Sequence, residues 1–227
     1  MIIMTRYRTE HKEETRRRIL AASDALMKGR GVEAASVEAV MRSAGLTVGG
    51  FYAHFASKDA LAAETLLYGL EQSFGRLAAA LEGRRGDDWV RGMIRIYLAQ
   101  ADDPDLAHAC PLTLLLPEAA RADGDRKAAF ARLTRAMLDR VAPHFPARDG
   151  WSPRETAVAV YSALAGAVAL ARTAPSRAAR LAITRSCERM LVEWLGLADG
   201  ERAPGTVAPR GARPATTPSR PRSRRAR

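Results

Sequence analysis

Cysteine and histidine, the residues that most often bind metal ions or act as catalytic groups, are scarce in this chain. The two cysteines, Cys110 and Cys187, lie far apart, and neither belongs to a CxxC pair or to a cysteine–histidine spacing typical of zinc sites. The four histidines have no companion nucleophile or metal-ligand spacing. The sequence therefore predicts no metal, no cofactor and no disulfide framework, and it argues against an enzyme.

Long apolar runs are also missing. The most apolar stretch, 156–171, contains Tyr161 and Ser162 and falls short of a membrane span. The first four residues are too short for a signal peptide, and basic residues follow at once. We therefore expect a cytoplasmic protein without a membrane partner. Because the polar residues from Thr5 onward are typical of an N-terminal arm, Met4 is a hypothetical alternative start.

The positive charge is concentrated at one end of the chain. The formal net charge is +11, but residues 201–227 contain eight arginines and one acid, Glu201, so they carry +7 and the rest carries +4. A body this mildly basic is weak support for DNA binding by itself. Residues 199–227 are rich in proline and arginine and almost free of large apolar side chains, so they are predicted to be a disordered tail.

Helical periodicity extends over nearly all of the chain before residue 197, and no segment alternates as a strand does. A first helix is expected over 11–29, and Ser36, Ser57 and Ser152 are expected to be N-caps of later helices. Further helices are expected to start at Asp87 and to cover 125–141, 152–173 and 176–196. The predicted fold class is all-α.

Residues 45–58 are typical of the second half of a helix-turn-helix, the motif that places a short helix in the major groove of DNA. Gly45 would form the turn, and a helix would follow from Thr47. Phe51 and Phe55 are four apart, so they share one face and would pack on the first two helices. The opposite face would point outward.

Two adjacent glycines interrupt that outward face. Gly49 and Gly50 would each cost a helix about 1 kcal/mol relative to alanine. Their benefit is close approach, because a backbone without a Cβ can reach a phosphate or the floor of the groove. An ordinary loop at these positions is the alternative. The candidate DNA-binding residues are Ser36, Thr47, Val48, Gly49, Gly50, Tyr52, His54 and Lys58.

The segments around Arg18–Ala22, Ala35–Val37, Ala44–Thr47 and Phe51–Leu61 resemble the N-terminal domain of TetR-family transcriptional regulators. The resemblance covers about residues 12–62. It implies a helical homodimer that binds a palindromic DNA operator and usually represses until a small-molecule effector binds its C-terminal domain. It places the candidates at or near DNA, except that Val48 and Gly50 depart from the common family pattern.

The resemblance also implies three segments, a helix-turn-helix DNA-binding domain with a basic N-terminal arm over 1–62, a larger ligand-binding and dimerisation domain over 63–198, and the tail. The last two long helices are rich in alanine, so a dimer interface between them and their partner copies is expected. An effector would tilt the long helix that follows Ser57. The candidate pocket residues are Trp89, Met93, Tyr97, Cys110, Leu114, Phe130, Met137 and Tyr161.

Two other functions stay open. Cys110 precedes a helix, where a thiolate is activated, so the chain could sense oxidants or electrophiles. A buried cysteine acting as a small apolar side chain is the simpler interpretation. Alternatively, the arginine-rich tail could make the protein a largely non-specific DNA binder with strong salt dependence.

Overall fold

A computed structural model describes residues 2–145, 147–148 and 150–197. Over these residues the chain forms eight α-helices and three short 3-10 helices, and extended pairing is limited to one bridge between Arg148 and Trp151. The all-α prediction is confirmed. The α-helices are α1 (Ile2–Arg30), α2 (Val37–Ser43), α3 (Lys58–Ala80), α4 (Gly86–Ala99), α5 (Pro111–Arg121), α6 (Gly124–Val141), α7 (Pro153–Arg172) and α8 (Arg177–Leu195). The 3-10 helices are Val48–Ala53, Leu106–His108 and Ala142–His144.

Serine side chains start the helices where the sequence predicts. The hydroxyls of Ser36, Ser57 and Ser152 each accept a hydrogen bond from the backbone N–H three residues on, which satisfies a donor that the first helical turn leaves without a partner. The Glu155 carboxylate in turn accepts a hydrogen bond from the backbone N–H of Ser152 and completes a capping box. Local sequence therefore fixes these boundaries.

The first helix differs from its prediction. It begins at Ile2 rather than near residue 11, so the segment expected to be an arm is helical. The reason is that residues 2–28 contain neither glycine nor proline, and nothing in the sequence stops the helix toward its N-terminal end. The helix ends as predicted at its glycines, since Gly31 adopts a left-handed φ of +87°.

α3 connects the two expected domains. Its N-terminal turns pack on α1, and its later turns pack on α6, so the predicted boundary at 62/63 falls inside one continuous helix. Residues up to Leu197 form one compact unit. The division at residue 62 stays a prediction, and the predicted tail, 199–227, lies outside the described residues.

Within the described residues, one helix, α7, is long and apolar enough to cross a membrane by length and composition alone. It packs against α4, α6 and α8, and its residues Val160, Leu164 and Val168 are buried in the protein core. These contacts are those of a core helix.

Candidate DNA-binding surface and ligand cavity

The turn between α2 and the Val48–Ala53 helix depends on a glycine. Gly45 has a φ of +67°, a left-handed conformation that side chains with a Cβ rarely adopt. Its backbone N–H donates to the carbonyl of Arg42, and the N–H of Leu46 donates to the carbonyl of Met41. These two bonds close the end of α2 and set the direction in which the next segment leaves.

Residues Val48–Ala53, which we call the recognition segment, form a single 3-10 helix of six residues rather than the expected α-helix. The two consecutive glycines explain the difference, because they weaken an α-helix that is already too short to be stable by itself. Thr47 occupies the N-cap position, but its side chain makes no capping hydrogen bond. The segment is therefore held by its surroundings.

The recognition segment has one buried and one exposed side, as the sequence predicts. Phe51 is fully buried, and its ring stacks on the ring of Phe55 with centroids 5.8 Å apart. Val48 and Tyr52 are 46% and 75% exposed, which is unusual for side chains of this size. The outer surface therefore offers an apolar side chain, an aromatic hydroxyl and bare glycine backbone.

Two arginines of α1 hydrogen-bond to backbone carbonyls of the helix-turn-helix and hold it in place. Arg16 donates to the carbonyl of His54 at 2.6 Å, pairs with Glu64 of α3, and lies 4.3 Å above the centre of the Phe55 ring. Arg18 donates to the carbonyl of Ala44, the residue that caps the C-terminal end of α2, at 2.8 Å. Both carbonyls lie at helix ends, where the intrahelical hydrogen bonds run out.

His54 ends the recognition segment as a neutral side chain. Burial lowers its pKa below the usual range, and the nearby charges of Lys12 and Arg16 lower the pKa further. Its buried Nδ1 atom has no hydrogen-bond partner. A phosphate contact by His54 would therefore use a neutral N–H donor rather than a cation.

Lys58 contacts another part of the protein. Its Nζ atom lies 3.1 Å from the carbonyl oxygen and 3.4 Å from a carboxylate oxygen of Glu33, in the loop between α1 and α2. The same carboxylate pairs with Arg126 of α6, and together the two cations lower the pKa of Glu33. Lys58 thus joins the helix-turn-helix to α6, a role that the sequence does not reveal because the partners are far apart in the chain.

The candidate DNA-binding residues divide into two groups. Ser36, Thr47, Val48, Gly49 and Tyr52 are exposed, whereas Gly50, His54 and Lys58 are half-buried. Sequence reasoning missed the fixing role of Arg16, Arg18 and Glu33. The repeated arginines in α1 were a signal for such a role, but charged residues on a helix are usually only solvated.

A cavity of about 290 Å³ lies in the larger helical part, between α3, α4, α6 and α7. Its walls are mostly apolar, with Phe74, Met93, Met137 and Leu164 among the lining side chains. Three side chains with strongly basic, acidic or imidazole groups line it as well, namely Arg76, Asp103 and His108. Clefts of this kind, apolar with a few polar groups, are the usual form of a small-molecule site.

Four polar side chains form a connected group at the cavity, which we call the hydroxyl cluster. The hydroxyls of Tyr97 and Thr113 hydrogen-bond, and the Tyr161 hydroxyl lies 3.8 Å from the Cys110 sulfur. The two tyrosine rings meet edge to face with centroids 5.5 Å apart. Burial raises the pKa of both tyrosines and of the Cys110 thiol, so all four groups are uncharged near neutral pH.

The helix-turn-helix matches a known family model. Residues 19–65 match the model described as bacterial regulatory proteins, tetR family. The match covers the helix-turn-helix region, so it is this region that resembles the tetR family. UidR of Escherichia coli K12, an HTH-type transcriptional regulator, is 33% identical over 78 residues, which are 34% of this chain and 40% of UidR. The match to this curated relative therefore spans about two fifths of the relative's length.

The helical fold of this chain is also found in solved structures. A TetR transcriptional regulator from Chloroflexus aurantiacus superposes with a TM-score of 0.65 at 23% identity over 82% of this chain and 96% of that chain. Reduced NemR of E. coli gives 0.64 at 19% identity over 78% and 96%. A regulator from Saccharomonospora viridis, in complex with choline, gives 0.61 at 18% identity over 80% and 96%. At these identities the likeness concerns the fold.

Five of the eight candidate pocket residues line the cavity wall, namely Met93, Tyr97, Cys110, Met137 and Tyr161. The other three, Trp89, Leu114 and Phe130, do not line it. Trp89 stacks on the His144 ring with centroids 3.6 Å apart, and Phe130 borders a separate depression beside Arg126. Apolar periodicity identifies core positions, but it does not say which core residues face an empty space.

The helices α7 and α8 present apolar and small residues to solvent at four-residue spacing. On α7 these are Val158, Ser162, Gly166 and Leu170, and on α8 they are Ala182, Ser186 and Met190. Residues four apart lie on one face of a helix, so each helix has a continuous exposed stripe with few charges. We call these two stripes the α7–α8 face.

Contacts connect the cavity region to the helix-turn-helix. Asp24 and Lys28 of α1 form a buried ion pair, with the ammonium 2.7 Å from a carboxylate oxygen. Pro111, next to Cys110, and Gly69 of α3 lie beside the Asp24 carboxylate. Burial raises the pKa of Asp24 although Lys28 opposes that shift.

In the described part of the chain, no group of three or more His, Cys, Asp or Glu residues is arranged to hold a metal ion.

Proposed function

We propose that this protein is a DNA-binding transcriptional regulator that acts as a ligand-responsive homodimer, most simply as a repressor. The observation that carries the proposal is the recognition segment, in which Phe51 is buried beside Phe55 while Val48 and Tyr52 project to solvent. A side chain as large as Tyr52 is exposed at a binding surface more readily than elsewhere. The proposed activity is binding of DNA in the cytoplasm rather than catalysis.

The contacts we propose divide between the backbone of DNA and its bases. Val48 would touch a thymine methyl group, and the Tyr52 and Thr47 hydroxyls would bond phosphates or base edges. Gly49 lets the backbone approach closely, because nothing lies within 4 Å of the position of an added Cβ. Lys58, which already contacts Glu33, would hold the segment rather than bind a phosphate.

A second copy of the chain would dock on the α7–α8 face. Small residues such as Ser162, Gly166 and Ser186 let helices of two protomers approach closely, and Val158, Leu170 and Met190 would be buried. Dimerisation meets a physical need, because one six-residue segment reads only a few base pairs. A dimer reads an inverted repeat when its two segments lie about 34–36 Å apart, one turn of DNA.

The cavity is the proposed effector site. Its lining includes Leu70, Ser73 and Phe74 of α3, the same helix whose first turn follows the recognition segment. An effector that binds better when α3 is tilted would shift the dimer toward a spacing unsuited to DNA. The regulator from S. viridis, in complex with choline, is a similar fold that holds a small molecule.

The first test is selection of DNA from a randomised pool at near-physiological salt, using the full-length protein. An enriched inverted repeat supports a dimeric sequence-specific regulator. Equal binding to all DNA sequences that disappears when residues 200–227 are deleted would instead indicate a non-specific DNA binder that acts through the tail.

The matched test of the surface uses Tyr52 variants on the selected DNA. Tyr52→Ala is expected to weaken binding by about 1–3 kcal/mol, and Tyr52→Phe by less, since the ring remains. Because the side chain is 75% exposed, the free energy of unfolding of both variants should lie within about 0.5 kcal/mol of the wild-type value. Unchanged affinity in Tyr52→Ala would remove this residue from the interface.

A further inference from the structure

We infer that the effector is an uncharged, mainly apolar molecule of about bicyclic size whose single hydrogen-bonding group meets Tyr97, Tyr161 and Cys110. The inference rests on the proposed effector site and goes further by assigning the chemical class of its ligand. The inference depends on where the polar groups of the cavity lie. The neutral tyrosine and cysteine groups are buried, whereas the acidic and basic side chains lie near the opening.

The cavity sets the size and the main character of the ligand. Its volume of about 290 Å³ has room for about ten water-sized groups at about 30 Å³ each. Side chains such as Leu77, Met93, Val141 and Phe145 line it, and they offer dispersion contacts but no hydrogen bonds. A ligand that fills this space gains most of its affinity from apolar contact.

The hydroxyl cluster sets the polar part of the ligand. The Thr113 hydroxyl bonds to Tyr97 and the Tyr161 hydroxyl to the Cys110 sulfur, so two bonds join the four groups in pairs, and each group carries one hydrogen. Each pair uses one of its two hydrogens internally, and the hydroxyl oxygens keep further lone pairs. The cluster can therefore donate to, or accept from, one ligand hydroxyl or carbonyl group.

Charge is confined to the rim of the cavity. The side chains of His108 and Asp103 are 59% and 39% exposed, and His108 lies 3.5 Å from Asp105. Arg76 is turned toward the same rim, since its guanidinium donates to the backbone carbonyl of His108 at 3.1 Å and to Ser73 at 3.3 Å. An ionised ligand group deep in the cavity would have only neutral partners, which is costly in an apolar surrounding.

Three probes of the same shape separate these contributions, namely naphthalene, 2-naphthol and 2-naphthoate, titrated calorimetrically into the full-length protein at pH 7. We expect 2-naphthol to bind about fivefold more tightly than naphthalene, the effect of one net hydrogen bond. We expect 2-naphthoate to bind at least about tenfold more weakly than 2-naphthol, because its charge must be desolvated.

Variants locate the hydrogen bond. Tyr161→Phe should remove the preference for 2-naphthol over naphthalene while leaving naphthalene affinity within about twofold, since the ring is kept. Tyr97→Phe serves as the second variant if the first does not fold. Tyr68→Phe is the matched control, because Tyr68 is half-buried on α3 and does not line the cavity. The control should retain the full preference.

Two results would overturn the inference. Equal or tighter binding of 2-naphthoate, lost in Arg76→Gln, would assign the site to an anion held at the rim. No binding of any probe would show that the cavity is not a site for this class. Operator binding by the same protein preparation is measured in parallel, so either result is distinguishable from failure of the proposed DNA-binding function.

Discussion

The carboxylate of Glu118 accepts the backbone N–H of Val32, with its two oxygens 3.0 and 3.2 Å from the nitrogen. Glu118 lies on α5, the helix that begins after Cys110 at the cavity, and Val32 lies in the turn between α1 and α2. The space that Glu118 occupies exists because Gly31 has no side chain, since a Cβ there would overlap the carboxylate. One side chain thus joins the cavity region to the helix-turn-helix.

Removing this contact should cost stability. We expect Glu118→Ala to lower the free energy of unfolding by roughly 1–2 kcal/mol, because a charge-assisted hydrogen bond to a partly buried N–H is lost. The matched control is Glu71→Ala, which removes an exposed carboxylate paired with Arg140 and should change stability by less than about 0.5 kcal/mol. Urea unfolding measures both, and similar losses in the two variants would contradict the special role of Glu118.

The glycine at the recognition segment is predicted to serve DNA binding rather than folding. Gly49→Ala meets nothing within 4 Å, so stability should be unchanged or higher by up to about 1 kcal/mol. Operator affinity should fall about fivefold as close backbone contacts of about 1 kcal/mol are lost.

Gly69→Ala is the contrasting variant. Its Cβ would overlap the Asp24 carboxylate, so roughly 1–3 kcal/mol of stability should be lost through overpacking. Thermal unfolding and fluorescence anisotropy with the selected DNA separate the two effects. Full operator affinity in Gly49→Ala would mean that the segment does not approach DNA at this point.

The α7–α8 face is expected to hold the dimer together. Gly166→Glu adds a charge to the centre of the α7 stripe, while nothing in the protomer lies within 4 Å of the new Cβ. The variant should therefore fold and be monomeric, and it should lose most operator affinity because two-fold symmetry is lost. Light scattering after size-exclusion chromatography reports the mass.

Gly75→Glu makes the same change at an exposed position of α3, where an added Cβ also meets nothing within 4 Å. It should stay dimeric. A dimeric Gly166→Glu protein would move the interface elsewhere.

Cys110 is expected to be unreactive in the folded protein. Burial raises the pKa of its thiol, so the thiolate that attacks oxidants and electrophiles is scarce, which argues against redox sensing. In a Cys187→Ala protein, the disulfide reagent DTNB at pH 8 should modify Cys110 no faster than the protein unfolds. Rapid modification, or operator release by an electrophile that Cys110→Ser abolishes, would revive the sensing hypothesis.

The same raised pKa predicts a pH dependence. Above the usual thiol pKa of about 8.5, the unfolded chain loses the Cys110 proton while the folded chain keeps it, so stability falls as the pH rises. Cys110→Ala should lose less stability than wild type between pH 7.5 and 9.5 in urea unfolding. An identical decline in the two proteins would assign it to other groups.

Local signals made much of the fold predictable. Ser36, Ser57 and Ser152 cap helices through bonds to residues three positions away, so their neighbours in sequence suffice. Phe51 and Phe55 are buried, as their four-residue spacing predicts. The helical state of the recognition segment was less predictable, because two glycines leave its conformation to the packing around it.

Interactions between distant residues were not predictable in the same way. Lys58 sits beside Asp59 in sequence but contacts Glu33, which is 25 residues away, and only the fold brings them together. The residues that line the cavity were also not predictable from their neighbours in sequence. Met93 and Trp89 lie one turn apart on α4, and both are apolar and buried, but only Met93 faces the empty space.

Arg16 contacts His54, Phe55 and Glu64 at the same time. It couples the end of the recognition segment to the first turns of α3, so the segment travels with that helix. α3 has 23 residues and is therefore about 35 Å long, with the cavity beside its far half. Acting as a lever, it would convert a rotation of about 5° at the cavity into a displacement of about 3 Å at DNA, comparable to one base-pair step of about 3.4 Å.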